Sequence, residues 1–382
     1  MTSTDLEMPE VGVAPERLVV RRVPAGGASE ADLAAWSELA ARAIEPNPFF
    51  EPELLAPAAA FYGGIDLGLV EGGDGRLLGA LPLRRAHRWR RIPAACLSVW
   101  RHPDSYLGTP LLAPEAPVEA LGALIDHARS TARAGLLAFE WLGTGGPVEA
   151  ALREAAADRG LDPIEYETFE RASLVKRLEP DYLKQTLSKG RARELRRLRR
   201  QLVEQLGAPL EVTDRTGDPQ AVEDFLTAEA GGWKGAQGTA FLGSPIYADF
   251  FRDVCSRFAA EGRLQLLVLS GGGVDVAWKV NFVAGDAIFC FKIAYAEQWA
   301  RFSPGVQLEL DFVEIFHGTS STWSDSCAAP DNEMINRLWP DRRSLATLLV
   351  PTGGVRGAAS RQSARTAMAV RRRIRRTDDQ AA

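Results

Sequence analysis

The chain is poor in the residues that build metal centres and disulfide frameworks: four cysteines and four histidines in 382 positions. Cys96, Cys255, Cys290 and Cys327 form no C-x-x-C pair, and His87, His102, His127 and His317 show no metal-ligand spacing. The pattern excludes a structural zinc and a disulfide scaffold and points to a reducing, cytoplasmic setting. No apolar run reaches the ~18 residues that cross a bilayer. Residues 1–9 are acidic and lack an apolar segment, so no signal peptide is expected. A formal charge of −5 is not the footprint of a general nucleic-acid binder. What is present is apolar substance, 46% of residues, over a length sufficient for two domains.

Residues 264–317 carry the densest pattern. They read as strand, Gly271-Gly272-Gly273, strand, the turn Gly285-Asp286, strand, short loop and helix. Arg301-Phe302-Ser303-Pro304-Gly305 opens the apolar helix 306–316. A strand feeding a helix through such a turn leaves backbone N–H groups at a positive helix end, a seat for phosphate. Strict alternation puts Lys279, Asn281, Cys290 and Lys292 on one sheet face and Trp278, Val280, Phe282, Phe289, Phe291 and Ile293 on the other. A face with two lysines is either wet, binds an anionic acceptor group, or holds a buried lysine that serves as a base.

This order of elements resembles the core of the GNAT acyl-CoA acyltransferases. Ala294-Tyr295 with Phe302-Ser303-Pro304-Gly305, the upstream Trp233-Lys234 and the basic Leu187-Ser188-Lys189 segment resemble, more narrowly, the CelD/BcsL acetyltransferase branch over residues 175–350. Pro304 and Val306 depart from the glycines of the general GNAT phosphate motif. The resemblance implies an α/β (α+β) fold of two tandem GNAT-like domains, with mixed sheets flanked by helices. It implies acyl-CoA, acetyl or longer, as co-substrate, no metal, and direct transfer to an amine or hydroxyl. The Ala294 and Tyr295 backbone would polarise the thioester, and Arg301, Phe302, Ser303, Pro304, Gly305 and Val306 would hold the pyrophosphate. Trp233 and Lys234 would line the acceptor groove, with Asp325 on a strand that splays from the donor strand.

The chain also repeats itself. Residues 67–83 and 266–278 share strand, Gly-rich turn and strand, each after an aromatic lead-in to a helix, at Phe49-Phe50 and Phe241-Leu242. The expected organisation is a flexible N-terminus (1–16), a first GNAT-like domain (17–170) that shapes the acceptor site, a second that binds acyl-CoA (171–355), and a basic tail (356–382), disordered or a marginal helix. A single helix is expected over 181–206. Candidate proton acceptors are Lys292, Asp325 and His102; candidate acceptor-binding residues are Lys279, Asn281, Asp104, Tyr106, Trp233 and Lys234. Each has a plain alternative: ion pairs for the lysines, an exposed strand carboxylate for Asp325, an incidental loop histidine for His102. The acceptor class stays open; the resemblance implies a small-molecule, lipid or glycan precursor, of polysaccharide or ceramide type. The basic residues of 189–200 and 371–376 suit a solvated face or peripheral contact with an anionic inner membrane surface, without specific nucleic-acid binding. A Fem-like aminoacyl-tRNA-dependent transferase and a non-catalytic GNAT-like module remain open.

Overall fold

The computed structural model describes residues 18–381, so the segment expected to be flexible, 1–16, lies outside the described residues. The first half runs β1 (Val19–Pro24), α1 (Glu30–Arg42), α2 (Pro52–Tyr62), β2 (Asp66–Glu71), β3 (Leu77–Ala86), β4 (Cys96–Val99), β5 (Leu111–Leu112), α3 (Pro117–Ser130), β6 (Leu136–Gly143), α4 (Pro147–Ala157) and β7 (Ile164–Val175). The second runs α5 (Tyr182–Thr186), α6 (Lys189–Leu206), β8 (Glu211–Asp214), α7 (Pro219–Gly231), α8 (Trp233–Ala236), α9 (Pro245–Ala260), β9 (Leu264–Gly271), β10 (Val274–Ala284), β11 (Ala287–Tyr295), α10 (Pro304–Gly318), β12 (Trp323–Asp325), α11 (Glu333–Asn336), β13 (Asp341–Pro351) and α12 (Gly354–Ala381). Local chemistry sets several boundaries. Ser29 and Asp32 close a capping box on α1. Gly272 and Gly273, both at positive φ, make the tight β9–β10 turn.

All strands join one mixed sheet, in the order β1-β2-β3-β4-β6-β13-β7-β12-β11-β10-β9-β8, with β5 beside β3. The repeat is now geometric: β2-β3-β4-α3-β6 is matched by β9-β10-β11-α10-β12, and β4–β6 and β11–β12 are both parallel pairs. The halves exchange their last strands. β13 lies between β6 and β7, antiparallel to both, and β7 pairs with β12. The boundary expected after residue 170 therefore falls inside β7. One apolar cluster also crosses the halves, joining Trp36, Phe49 and Leu54 to Phe251, Phe282 and Phe289.

One element expectation is corrected. The helix over 181–206 is broken, because Ser188 is extended and its hydroxyl accepts from Arg191 N–H, which starts α6 afresh. Of the two alternatives for the tail the helix is the one seen: it is rich in Ala and Arg, and its first turns dock through Ala364, which is buried.

Candidate functional site

β11 and β12 pair only over Ala287–Phe289 and Trp323–Asp325. Past that point β11 continues along β10 to Tyr295, while the other strand turns away at Cys327, whose φ is +52°. A left-handed non-glycine residue is uncommon and here marks the divergence. A cavity of about 490 Å³ opens in the gap, with Cys290 to Tyr295 on one wall and Ser326 to Ala329 on the other.

A bulge decides what faces it. Val280 pairs with Lys292 but Asn281 pairs with Cys290, so Phe291 is an extra residue in β11. Cross-strand partners share a face, so Lys292 lies on the Val280 face and Lys279 on the opposite one. The expectation of both lysines on one face is corrected: alternation fails at Phe291, and no sequence signal marks an unpaired residue between two apolar strands.

On its face, Lys292 meets the first half. Its Nζ donates to Asp104 Oδ1 at 2.9 Å and to the Tyr106 hydroxyl at 2.8 Å. The Asp104 carboxylate also accepts from the hydroxyls of Tyr62 at 3.1 Å and Tyr247 at 2.8 Å. Burial works against the Lys292 ammonium, but Tyr106 and Asp104 outweigh it and hold its pKa above the usual lysine value. Burial likewise penalises Asp104, and Lys292 overcomes it, keeping the carboxylate ionised. Lys292 is thus held as a cation between Asp104 and Tyr106.

The other expected bases are also accounted for. Asp325 is fully buried between Arg171, at 2.7 Å, and Arg343, at 2.6 Å, and accepts the Cys327 N–H. Desolvation would raise its pKa, but the two guanidiniums pull it down to about 2. That carboxylate is a tie between β7, β12 and β13. His102 is fully buried; its Nδ1 accepts Asp104 N–H at 3.2 Å, and it lies against Tyr62 and Trp100. Desolvation pulls its pKa down to about 3, so it is a neutral brace for the Asp104 loop.

Of the remaining candidates, Ala294, Tyr295, Lys234 and Tyr106 line the cavity. Lys279 lines it from the α10 side, paired with Glu309 at 2.5 Å, while Asn281 is buried beside Gln265. Trp233 opens α8, and its side chain lies outside the described residues. Ser303, at φ +54°, precedes α10 without a side-chain cap; Pro304 follows, and a Cβ on Gly305 would rest 3.5 Å from Tyr295. Phe302 is core, and Arg301 lies over its ring. Sequence reasoning missed Arg171, Arg343, Tyr62, Tyr247, Glu229 and Glu309. Tyr62 and Tyr247 had a faint signal, because they sit on the paired helices α2 and α9 of the repeat.

In the first half the equivalent position, past the β4–β6 pairing, is occupied. Residues 100–108 of that half fill it: Gly108 N–H donates to Trp141 O at 3.0 Å, and a Cβ at Gly108 would meet Glu140 O at 1.9 Å. Among the described residues no group of three or more His, Cys, Asp or Glu could hold a metal ion, and no helix is long and apolar enough to cross a membrane.

The acetyltransferase (GNAT) domain family matches residues 189–318, within the second half. Solved structures share the fold of both halves. FemX is 11% identical with a TM-score of 0.54, covering 82% of this chain and 95% of its own. L-PGS from Bacillus licheniformis is 13% identical with a TM-score of 0.51, covering 92% and 98%. A conserved protein of unknown function from Bacteroides thetaiotaomicron is 12% identical with a TM-score of 0.53, covering 85% and 97%. No protein of curated function matches the sequence.

Proposed function

We propose that the protein is an acyltransferase that moves an acyl group from a thioester donor, acyl-CoA, to the amine or hydroxyl of a lipid or glycan precursor. The observation that carries this reading is the gap between β11 and β12, with Lys292 fixed at its wall by Asp104 and Tyr106. A carbonyl under attack becomes tetrahedral and its oxygen gains negative charge. Lys292, itself largely buried, brings a preorganised positive charge to that oxygen, fixed in place before the reaction begins. Asp104 and Tyr106 engage two of the three ammonium donors, which leaves one for substrate.

The residues suit the donor. The first turn of α10 has no side-chain cap, so the Gly305 and Val306 N–H groups can meet a pyrophosphate, and Tyr295 and Ile293 lead from there into the gap. The first half, its own gap filled, supplies Asp104 and Tyr106 to the acceptor side. The resemblance to the CelD/BcsL branch favours a glycan acceptor. The exposed Lys189, Arg191, Arg193, Arg196 and Arg200 of α6 favour an acceptor at an anionic lipid surface. A second reading, an aminoacyl-tRNA donor, draws on the likeness in fold to FemX.

Thermal shift with acetyl-CoA and palmitoyl-CoA tests the reading. Binding at 100 times Kd stabilises by about 2.7 kcal/mol. The shift is expected in the wild type and absent in Gly305→Glu, which sets a carboxylate where the pyrophosphate would lie yet suits a helix N-terminus. No shift with either thioester, together with a shift on charged tRNA, would favour the second reading.

A further inference from the structure

Acyl transfer leaves one proton to place. The attacking N–H or O–H must give it up, and none of Lys292, Asp325 and His102 is suited to take it. Lys292 is held protonated, Asp325 has both oxygens engaged by guanidiniums and a backbone N–H, and His102 is boxed in by aromatic rings.

Among the described residues, two carboxylates line the cavity, Glu229 and Glu309. Glu229 is spent: Oε1 pairs with Lys234 at 2.6 Å, and Oε2 accepts Phe241 N–H at 3.0 Å. Glu309 is only 3% exposed. Its Oε1 accepts from Lys279 Nζ at 2.5 Å, and its Oε2 has no hydrogen-bond partner. A buried carboxylate oxygen without a donor is costly, and native structures keep few of them. The side chain is not free to turn away, because Lys279 is itself fixed over the Phe312 ring, 4.5 Å from its centroid.

We propose that Glu309 is the general base of the transfer, its Oε2 accepting the hydrogen bond, and then the proton, of the acceptor's N–H or O–H. This rests on the acyltransferase reading above. As the proton moves to Oε2, the acceptor nitrogen or oxygen bonds to the thioester carbonyl carbon and the C–S bond breaks. The thiolate leaves and takes a proton from solvent, and the glutamic acid returns its own proton to solvent, so the sum is acyl-acceptor plus thiol. Lys279 is a positioning residue that pins Oε1 and points Oε2.

The test compares two nucleophiles with acetyl-CoA and palmitoyl-CoA, reading thiol release. Water is a weak nucleophile and needs a base to attack; hydroxylamine is a strong one, uncharged at neutral pH, and attacks without a base, its uncatalysed reaction with the free thioester being subtracted. Glu309→Gln is expected to lose hydrolysis by roughly 10²–10⁴-fold, the usual worth of a general base, and to keep most of its transfer to hydroxylamine. Equal loss with both nucleophiles would overturn the proposal, as would full hydrolysis. Glu309→Gln leaves Lys279 as a lone buried cation, so Lys279→Met/Glu309→Gln is measured beside it; removing both charges spares the fold, and the same split between nucleophiles is expected. Wild-type protein that binds donor but releases no thiol with either nucleophile would also overturn the proposal. Absence of donor binding would instead sink the acyltransferase reading on which it stands.

Discussion

His102 is fully enclosed, with Tyr62, Trp100 and Phe250 around its ring, and its one hydrogen bond is accepted from the backbone of Asp104. Desolvation lowers its pKa from 6.5 to about 3. The sign follows: below pH ~6.5 the unfolded chain binds a proton that the folded chain refuses. The stability that this histidine contributes is whole above pH ~6.5 and is lost as pH falls towards 3, at about 1.4 kcal/mol per unit. His102→Asn keeps an acceptor for Asp104 N–H but has nothing to titrate. Denaturant unfolding from pH 7 to pH 4 should show a shallower loss in the variant than in the wild type; parallel curves would mean that His102 reaches protons. The same logic separates residue identity from residue role. Lys292 on its strand and Asp104 and Tyr106 on a polar loop were legible as separate candidates, not as one hydrogen-bonded group. Their charge states were not legible either, because a pKa belongs to neighbours from distant segments. Arg171 and Arg343 lie 154 and 18 residues from the Asp325 they neutralise.

At the scale of elements, sequence reading did best where period and punctuation agree. The β9–β10–β11 meander, the strand-to-helix turn at Ser303 and the internal repeat all have glycine or proline marks, and all are present. It failed at irregularities that pairing creates, namely the bulge at Phe291 and the exchanged last strands. The loop 100–108 falls between: its polar and aromatic residues supplied site candidates, but it was not legible as the filler of the first half's own gap. Gly108 is the tightest point of that filling, since any Cβ there would run into the Glu140 carbonyl, a backbone atom that cannot swing aside. Gly108→Ala should therefore cost about 1–3 kcal/mol, in the range of overpacking, and should also loosen Asp104 from Lys292. Chemical denaturation measures the first effect. The second would appear as acyl transfer impaired beyond the loss of folded protein; an alanine variant of wild-type stability would show that the loop does not need this contact.

For the whole molecule, strand exchange governs how the halves depend on each other. Without β13, β6 and β7 each lose their shared neighbour; without β7, β12 keeps only β11. Neither half can complete its sheet alone, and an unpaired interior strand exposes both backbone groups and apolar side chains. The link between halves is by contrast exposed, Leu178 at 98%, so cutting there removes no packing. Residues 1–178 and 179–382 expressed separately should each lack a cooperative thermal transition, because the core they share is split. Expressed together they should assemble into a heterodimer that melts as one unit and retains donor binding, since Lys292 and Asp104 are then reunited. A cooperative melt from the second fragment alone, with donor still bound, would show two independent domains in tandem. The exchanged strands predict the opposite: a site whose cation and counter-ion come from different halves is kept aligned by a sheet that neither half can finish by itself.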